Sequence, residues 1–398
     1  MIQRDTYFNK LLGFKNKHII KIITGIRRCG KSTLLEMYQR HLLRDGVSET
    51  QIISINFEHM RYSHLTDAKA LHDYVSERLI PDKMNYVFLD EVQNVHDFQR
   101  AVDSLFIQKN VDIYLTGSNA YMLSGEIATL LSGRYVEIAT LPLSFKEYVA
   151  STGSTNDLSR KYTDYLTYSA FPFTMELDKD DDRIQDYLNS VYNTVILRDV
   201  VARKNISDVM MLESVIRFMF DNIGNLMSTK KISDTMTADG RKISTHTVES
   251  YISALVDSFV LYRAKRYDVK GRQHLKTNDK YYVVDIGLRR AILGDSRRDV
   301  GHILENVIYL ELLRRGYDVY VGKYNSTEID FVALRKGATE YFQVAATVRE
   351  KDTLERELLS LNSIQDHYPK TLITLDDDPP ADYNGIRQIN ALDFLMAD

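Results

Sequence analysis

The sequence predicts an α/β protein that starts with a mainly parallel sheet covered by helices on both faces. Apolar, β-branched runs alternate with helical patterns, as in repeated βαβ units. The five predicted strands lie at 19–24, 51–58, 85–92, 112–118 and 135–141. After the turn-rich stretch ASTGSTND the pattern becomes helical, and a further α/β pattern begins near residue 301. We therefore expect a helical region and a second α/β unit after the first sheet.

Composition limits the class of protein. The chain has 398 residues, a formal net charge of −4 and one cysteine. Because domains usually have about 100–200 residues, this length indicates two to four domains. The charge excludes an overall basic field for nucleic acid, and one cysteine excludes a disulfide framework or a cysteine-rich zinc site. With no apolar run of about 18 residues and no signal peptide, we expect a cytoplasmic protein without a membrane partner.

A glycine-rich turn joins the first predicted strand to the first helix. The segment GIRRCGKS, residues 25–32, matches G-x-x-x-x-G-K-[ST] between a buried strand and a helix, and this context disfavours a chance match. In such a loop, backbone N–H groups and the helix N-terminus bind phosphate. Lys31 would reach the β- and γ-phosphates, and the Ser32 hydroxyl would bind Mg²⁺. The sequence therefore predicts a site for ATP and Mg²⁺ in a P-loop NTPase sheet.

The predicted nucleotide contacts extend over the whole loop and into the first turn of the helix. They are Gly25, Arg27, Arg28, Cys29, Gly30, Lys31, Ser32 and Thr33. Arg27 and Arg28 either contact phosphate or face a partner. Cys29 is expected to fill space as a small apolar side chain rather than to act as a redox switch.

Two acids end the third predicted strand. In YVFLDE, residues 86–91, Asp90 suits a metal ligand that holds Mg²⁺ through water, and Glu91 suits a base that polarises the attacking water. A solvated acidic strand end is the alternative, and the upstream P-loop disfavours it. The absence of an Asn-Lys-x-Asp motif argues against a GTPase. A small-molecule kinase is disfavoured because such kinases rarely combine this acidic pair with a Ser-Asn pair at the end of the next strand and with a winged helix.

Two further residues are candidates for the catalytic machinery. Asn119 follows the fourth strand in LTGSN and would contact the γ-phosphate or the attacking water. The alternative is an ordinary turn, for which the tripeptide Gly-Ser-Asn is also typical. Arg134, in LLSGRYVEI, would act as an arginine finger, in cis or towards a neighbouring subunit. The alternative for Arg134 is a surface arginine without a catalytic role.

The order of elements over residues 206–290 is typical of a winged helix: helix, turn, helix, then a two-stranded ribbon with its tip near Lys270. The ribbon is basic and suits phosphate contact by Arg263, Lys265, Arg266, Lys270 and Arg272. The second helix carries Glu249 and Asp257, which argues against base readout. Two alternatives stay open: weak DNA binding without sequence preference, or a wing that packs on the ATPase and senses its nucleotide.

These motifs together resemble the AAA-family ATPases of bacteria and archaea that carry a C-terminal domain of unknown function. The matching stretches span almost the whole chain and include IITGIRRCGKSTLL, INFE, VFLDEVQNV, LTGSNA, LPLSFKEY and ENVIYLELLRRGYDVYVGK. The resemblance implies an AAA+-like core, close to the signal-transduction ATPases with numerous domains and to the archaeal ATPases. It also implies a winged helix and a restriction-endonuclease-like α/β domain. The expected domains are 1–150 for the ATPase, 151–205 for a helical lid or linker, 206–290 for the winged helix and 291–398 for the nuclease-like domain.

The C-terminal hairpin STEIDFVALRKGATEYFQVAAT, residues 326–347, has the outline of a nuclease metal site. Nucleases of this class hold Mg²⁺ with an Asp and a Glu on adjacent strands and use a Lys two residues beyond the Glu. The resemblance places Glu305 on the preceding helix and Asp330 on the first strand, whereas Gln343 and Ala345 replace the Glu and the Lys. We expect a vestigial, inactive site. The alternatives are an active nuclease in which Lys351 or Arg349 reaches in, and acids kept for local hydrogen bonds.

The predicted function is a Mg²⁺-dependent ATPase that acts as a nucleotide-gated switch with a degenerate nuclease-like module. An ATP-driven DNA-processing protein with an active nuclease domain is the alternative. The sequence leaves open, besides ATP, DNA as a partner, a protein partner and a homo-oligomer.

Overall fold

The computed structural model describes residues 2–397 except 121–130, 132, 205, 276–277 and 295–298. The chain divides into two compact units, Met1–Leu141 with Asp257–Phe259, and Pro142–Val256 with Val260–Asp398. Among the described residues, none of the helices is both long and apolar enough to cross a membrane.

The first unit is built on a five-stranded parallel sheet with the order β2-β3-β4-β1-β5. Its strands are β1 (Ile20–Thr24), β2 (Ile52–Asn56), β3 (Asn85–Asp90), β4 (Val111–Gly117) and β5 (Tyr135–Ala139). The three central strands, β1, β3 and β4, are buried throughout, as expected for a sheet covered on both faces. All five predicted strands are present, and the predicted α/β fold class is confirmed.

Helices cover both faces of this sheet. They are α1 (Asp5–Gly13), α2 (Lys31–Arg44), α3 (Ala68–Ser76) and α4 (Phe98–Phe106), with short 3-10 turns at Glu49–Gln51, Met60–Tyr62 and Val92–Asn94. Successive strand residues point to opposite faces, so Val87 packs in the core with α3 and α4, while Phe88 packs in the core with α1 and α2. The two cores hold the carboxyl ends of the strands at one edge, where the candidate site lies.

The second unit begins with helices. They are α5 (Phe145–Ser151), α6 (Leu158–Tyr168), α7 (Asp181–Val191), α8 (Asp199–Lys204), α9 (Val209–Asp221), α10 (Thr229–Ala238), α11 (Thr245–Asp257), α12 (Ile286–Leu293), α13 (Val300–Arg314), α14 (Lys351–Asn362) and α15 (Ala391–Met396). A 3-10 segment spans Pro172–Glu176 and a π-helix spans Tyr192–Arg198. Side-chain N-caps begin several helices, among them Asp208 for α9, Ser228 for α10 and Asp285 for α12.

An eight-stranded mixed sheet and a separate two-stranded sheet complete the second unit. The strands are β6 (Leu261–Ala264), β7 (Arg266–Asp268), β8 (Gln273–His274), β9 (Lys280–Val283), β10 (Asp318–Tyr324), β11 (Thr327–Arg335), β12 (Ala338–Ala345), β13 (Lys370–Thr374), β14 (Ala381–Tyr383) and β15 (Ile386–Asn390). The large sheet has the order β14-β15-β13-β12-β11-β10-β7-β8, and β6 pairs with β9. The hairpin predicted at 326–347 is the antiparallel pair β11–β12.

The basic ribbon differs from its prediction. It divides into the β6–β9 pair and a short hairpin, β7–β8, and β7 runs parallel to β10. The amide of Val321 donates to the carbonyl oxygen of Lys265 at 2.9 Å, so the hairpin is the edge of the large sheet. The segments predicted as winged helix and nuclease-like domain thus share one sheet. The first unit also ends at Leu141 rather than at residue 150.

Candidate nucleotide site

The glycine-rich turn between β1 and α2 has the backbone of a phosphate-binding loop. Gly30 is the N-cap of α2 with φ 98°, and Gly25 has φ 144°. A Cβ atom on Gly25 would lie 2.2 Å from the carbonyl oxygen of Thr140, so only glycine fits there. Because no side chain caps α2, the first N–H groups of the helix are available to an anion.

Lys31 points from the first turn of α2 into the loop. Its Nζ atom donates to the carbonyl oxygens of Gly25, at 2.9 Å, and Ile26, at 3.1 Å. The same atom lies 3.9 Å from Oε1 of Glu91. Although the side chain is almost fully buried, the ammonium sits between the loop and the acidic end of β3. This is the position predicted for a lysine that contacts phosphate.

Asp90 ends β3 and is buried beside the loop. Its carboxylate accepts hydrogen bonds from Thr116, from Asn56 at 2.8 Å and from the side chain of Ser32. Burial raises the pKa of Asp90, while the hydrogen bonds from Thr116 and Ser32 oppose this rise. A carboxylate next to a serine hydroxyl fits Mg²⁺, which usually takes one or two carboxylates together with phosphate oxygens and water. The donor set therefore suits the predicted metal position.

Glu91 follows Asp90 in the left-handed conformation, with φ 54° and ψ 45°, which a residue with a side chain adopts at some cost. Its amide donates to Oγ1 of Thr116 at 2.8 Å, and Oε2 accepts from Ser118 at 3.2 Å and from Gln93. The carboxylate is buried and fixed on several sides. Thr116 thus contacts both predicted acids.

The two other predicted catalytic residues lie at opposite ends of the strands: Asn119 at the carboxyl end and Arg134 at the amino end. Asn119 lies two residues after the end of β4, at the carboxyl end of the sheet that also carries Asp90. Arg134 precedes β5, its carbonyl oxygen accepts from the amide of Ile20, and its guanidinium pairs with Asp103. Five residues of β1, roughly 16 Å of strand, separate that end from the P-loop. The alternative in which Arg134 acts in cis is therefore not supported, and a role in trans stays a prediction.

The other predicted nucleotide contacts differ in their surroundings. Arg27 forms an ion pair with Glu58, which is the last residue of the INFE segment and lies after β2. Arg28 is exposed with φ 69°, and Thr33 is exposed on the first turn of α2. Cys29 is fully buried, with its Sγ atom 3.3 Å from Oγ1 of Thr140, as expected for a space-filling residue.

Sequence reasoning missed a buried arginine that contacts the loop from outside the motif. Nη1 of Arg4 donates to the carbonyl oxygen of Cys29 at 3.0 Å, and Nη2 donates to that of Leu141 at 2.6 Å. The amide of Leu141 also donates to the hydroxyl of Tyr7 at 3.1 Å. Thr116 and Asn56 were missed as well, although they stand in the quoted segments LTGSN and INFE. Their role depends on the pairing of β2 and β4 with β3, which no local pattern specifies.

The predicted vestigial nuclease residues do come together in the second unit. Glu305 on α13 and Asp330 on β11 both lie next to the ammonium of Lys280, at 2.8 and 3.6 Å. Gln343 on β12 accepts from the amide of Asp330 at 3.3 Å and donates to Glu357 at 2.8 Å. Lys280 was not among the predicted residues.

The lysine and arginine proposed to rescue nuclease activity do not reach this cluster. The Lys351 side chain is 84% exposed and its nearest acidic partner is Glu355, at 3.6 Å. Arg349 is exposed and pairs with Asp377 and Asp378. Neither Lys351 nor Arg349 therefore supplies a cation to this cluster, as the alternative of an active nuclease requires.

Most of the predicted DNA contacts are on the surface of the divided ribbon. Lys265, Lys270 and Arg272 are exposed, whereas Arg266 is half-buried. Arg263 forms an ion pair with Asp279 at 2.5 Å. Four of the five predicted cations are thus exposed to solvent, and Arg263 is the one of these four that is paired with Asp279.

Comparison with known proteins supports the assignment of the first unit. The model of an AAA domain matches residues 17–149, and the model of a domain of unknown function, DUF8612, matches residues 159–299. An uncharacterized protein of Haemophilus influenzae is 39% identical over 400 residues, and the match covers 100% of this chain and 99% of the relative. The chain belongs to the AAA-domain family of P-loop ATPases. The predicted family is thereby confirmed.

Two further matches extend the picture of this AAA-domain protein. An uncharacterized protein of Methanocaldococcus jannaschii is 28% identical over 354 residues, covering 85% of this chain and 77% of that protein. The Walker-type ATPase of Pyrococcus abyssi is 15% identical with a TM-score of 0.50, covering 73% of this chain and 96% of that one. At this identity the likeness concerns the fold alone, and it agrees with a P-loop ATPase.

Proposed function

We propose that this AAA-domain protein binds ATP with Mg²⁺ and hydrolyses it to ADP and phosphate as a nucleotide-gated switch. One observation carries the proposal: Lys31, Asp90 and Glu91 converge at the carboxyl edge of the sheet, with 3.9 Å between the Lys31 ammonium and Glu91. A structural ion pair alone would not require a loop beside it with a position, Gly25, that only glycine can occupy. The convergence of cation, metal ligand and base is what phosphoryl transfer needs.

Each of these side chains has a separate task. The Lys31 ammonium exchanges its carbonyl partners in the loop for phosphate oxygens and stabilises the charge that develops on them. The Glu91 carboxylate, held by Ser118 and Gln93, orients a water molecule in line with the γ-phosphate. Ser32, and Asp90 through water, would hold Mg²⁺, which would supply further positive charge at the phosphates. Asn119 is proposed to contact the γ-phosphate or this water.

The contacts of Thr140 and Leu141 support the switch. Thr140 packs against Gly25 and Cys29 of the loop, and Arg4 joins the carbonyl of Cys29 to that of Leu141. The second unit begins at the next residue, Pro142. We propose that a change of the loop backbone on phosphate binding is carried through this segment into the second unit.

Hydrogen exchange of the full chain, with and without Mg²⁺ and a non-hydrolysable ATP analogue, tests the switch. We expect slower exchange in the loop and also in 139–150, and no change in a Lys31→Ala variant. Protection confined to the loop would contradict the switch but not nucleotide binding. Absence of any change in the wild-type protein would contradict both.

The alternative function, ATP-driven DNA processing, is favoured by the exposed cations of the β7–β8 edge, Lys270 and Arg272, together with Lys265. Such contacts go to phosphates and give salt-sensitive binding without sequence preference. ATP turnover measured with and without duplex DNA separates the two functions. Stimulation by DNA that is lost in a Lys265→Glu/Lys270→Glu/Arg272→Glu variant would favour DNA processing. Unchanged turnover favours the switch.

A further inference from the structure

The acidic cluster of the second unit has a lysine at its centre. Lys280 comes from β9, which belongs to the two-stranded sheet, whereas Glu328 and Asp330 come from β11 and Glu305 from α13. Its Nζ atom lies 2.8 Å from Glu305, 2.9 Å from Glu328 and 3.6 Å from Asp330. We propose that the Lys280 ammonium is the resident cation of this nuclease-like site, and that the site therefore takes no divalent metal.

The positions of the carboxylate oxygens support this assignment. Oε1 of Glu305 accepts from Lys280 and also from the hydroxyl of Tyr282 at 2.6 Å. Oδ2 of Asp330 accepts from the amide of Val344 at 2.9 Å. One oxygen of each of these two carboxylates is thus already engaged by protein donors. Mg²⁺ needs oxygens at about 2.0–2.1 Å, so it would have to displace the ammonium.

Gln343, which stands at the position of a metal-binding Glu, is also engaged. Its Oε1 atom accepts from the amide of Asp330 and from Ser360 at 3.2 Å, and its Nε2 atom donates to Glu357 at 2.8 Å. A neutral amide oxygen with two donors is a poor ligand for a hard cation. In the described part of the chain, no group of three or more acidic, histidine or cysteine side chains is arranged to hold a metal.

The charges in the cluster favour a permanent ammonium. The lysine is 4% exposed, and among the described residues the acids within 4 Å of its ammonium are Glu305, Glu328 and Asp330. Removal of the ammonium would leave buried carboxylates without a counter-charge, which is strongly unfavourable. A neutral side chain at position 280 should therefore turn the cluster into a cation site.

Binding of Mn²⁺ to the full chain without nucleotide tests the proposal. All proteins carry Asp90→Asn so that the P-loop does not contribute a metal ligand. We expect the parent and its Asp330→Asn variant to give the same calorimetric titration, and Lys280→Met to gain Mn²⁺ binding that Asp330→Asn removes again. We also expect Lys280→Met to unfold at a lower temperature that Mn²⁺ raises.

Two results would overturn the proposal. One is Mn²⁺ binding by the parent that Asp330→Asn or Glu328→Gln abolishes. The other is a folded Lys280→Met variant without Asp330-dependent binding. If Lys280→Met does not fold, the comparison of the parent with Asp330→Asn still decides. The inference rests on the nuclease-like interpretation of the second unit and not on ATP hydrolysis, because every protein in the test carries the altered P-loop site.

Discussion

The Nζ atom of Lys31 lies 3.9 Å from the Oε1 atom of Glu91, and both side chains are almost fully buried. The proposed phosphate-binding cation and the proposed base for water are therefore adjacent at the carboxyl ends of β1 and β3. The ammonium is the group on which nucleotide affinity should depend most. The carboxylate should matter for turnover and much less for affinity.

Lys31→Ala should abolish nucleotide binding, because the variant loses the ammonium that contacts the β- and γ-phosphates. Titration calorimetry with ATP and Mg²⁺ measures this effect. Lys69→Ala is the matched control, since Lys69 is exposed on α3 and forms an ion pair with Asp73. Wild-type affinity in Lys31→Ala would contradict the assigned role.

Thr116→Val should lower kcat by roughly tenfold or more while ATP affinity changes little, because small misplacements of catalytic groups cost that much. The hydroxyl donates to Asp90 and accepts from the amide of Glu91, so its loss frees both acids. The buried Asp90 oxygen left without its donor should also cost about 1–3 kcal/mol of the free energy of unfolding. Thr116→Ser, which keeps the hydroxyl, should restore most of the activity. Equal kcat in Thr116→Val and the wild type would contradict this role.

Arg4→Met should raise the KM for ATP and destabilise the first unit by about 1–3 kcal/mol, since two carbonyl oxygens lose their donor. Thermal unfolding and steady-state kinetics measure the two effects. Arg40→Ala, on the exposed face of α2, serves as the control. A loss of stability with an unchanged KM for ATP would indicate a purely structural role for Arg4.

Arg134→Ala should keep ATP binding and lower turnover if neighbouring copies of the chain complete each other's sites. The residue lies at the edge of the sheet away from its own P-loop, so only a second copy would bring it to a nucleotide. Mixing Arg134→Ala with Glu91→Gln should then recover part of the activity. Full activity of Arg134→Ala alone would show that Arg134 is a surface residue that pairs with Asp103 and has no catalytic role.

The parts of the fold that could be predicted depend on local patterns. The strand–loop–helix unit around Lys31 and the acidic end of β3 are read from consecutive residues, and their structure agrees with the prediction. Arg4 and Lys280 act through partners that are distant in sequence, such as Leu141 for Arg4 and Glu328 for Lys280. No periodicity or motif specifies such contacts, because they depend on which strands and helices become neighbours.

The division of the basic ribbon has the same cause. Its residues favour strands, and strands do form, but the pairing of β7 with β10 joins residues more than fifty positions apart. The sequence therefore predicts a two-stranded ribbon of its own, where the structure has the edge of the large sheet. The acids of the proposed nuclease-like site were predicted by resemblance, and the lysine between them, Lys280, was not.

ATP turnover by Glu91→Gln, measured together with ATP binding, tests the central claim most directly. Gln keeps the size of Glu and a neutral oxygen but cannot accept the proton or polarise water as a carboxylate does. The account predicts that the variant binds ATP with about wild-type affinity and that phosphate release falls by a factor of about 10²–10⁴. Phosphate release at the wild-type rate from a folded, ATP-binding Glu91→Gln protein would contradict it.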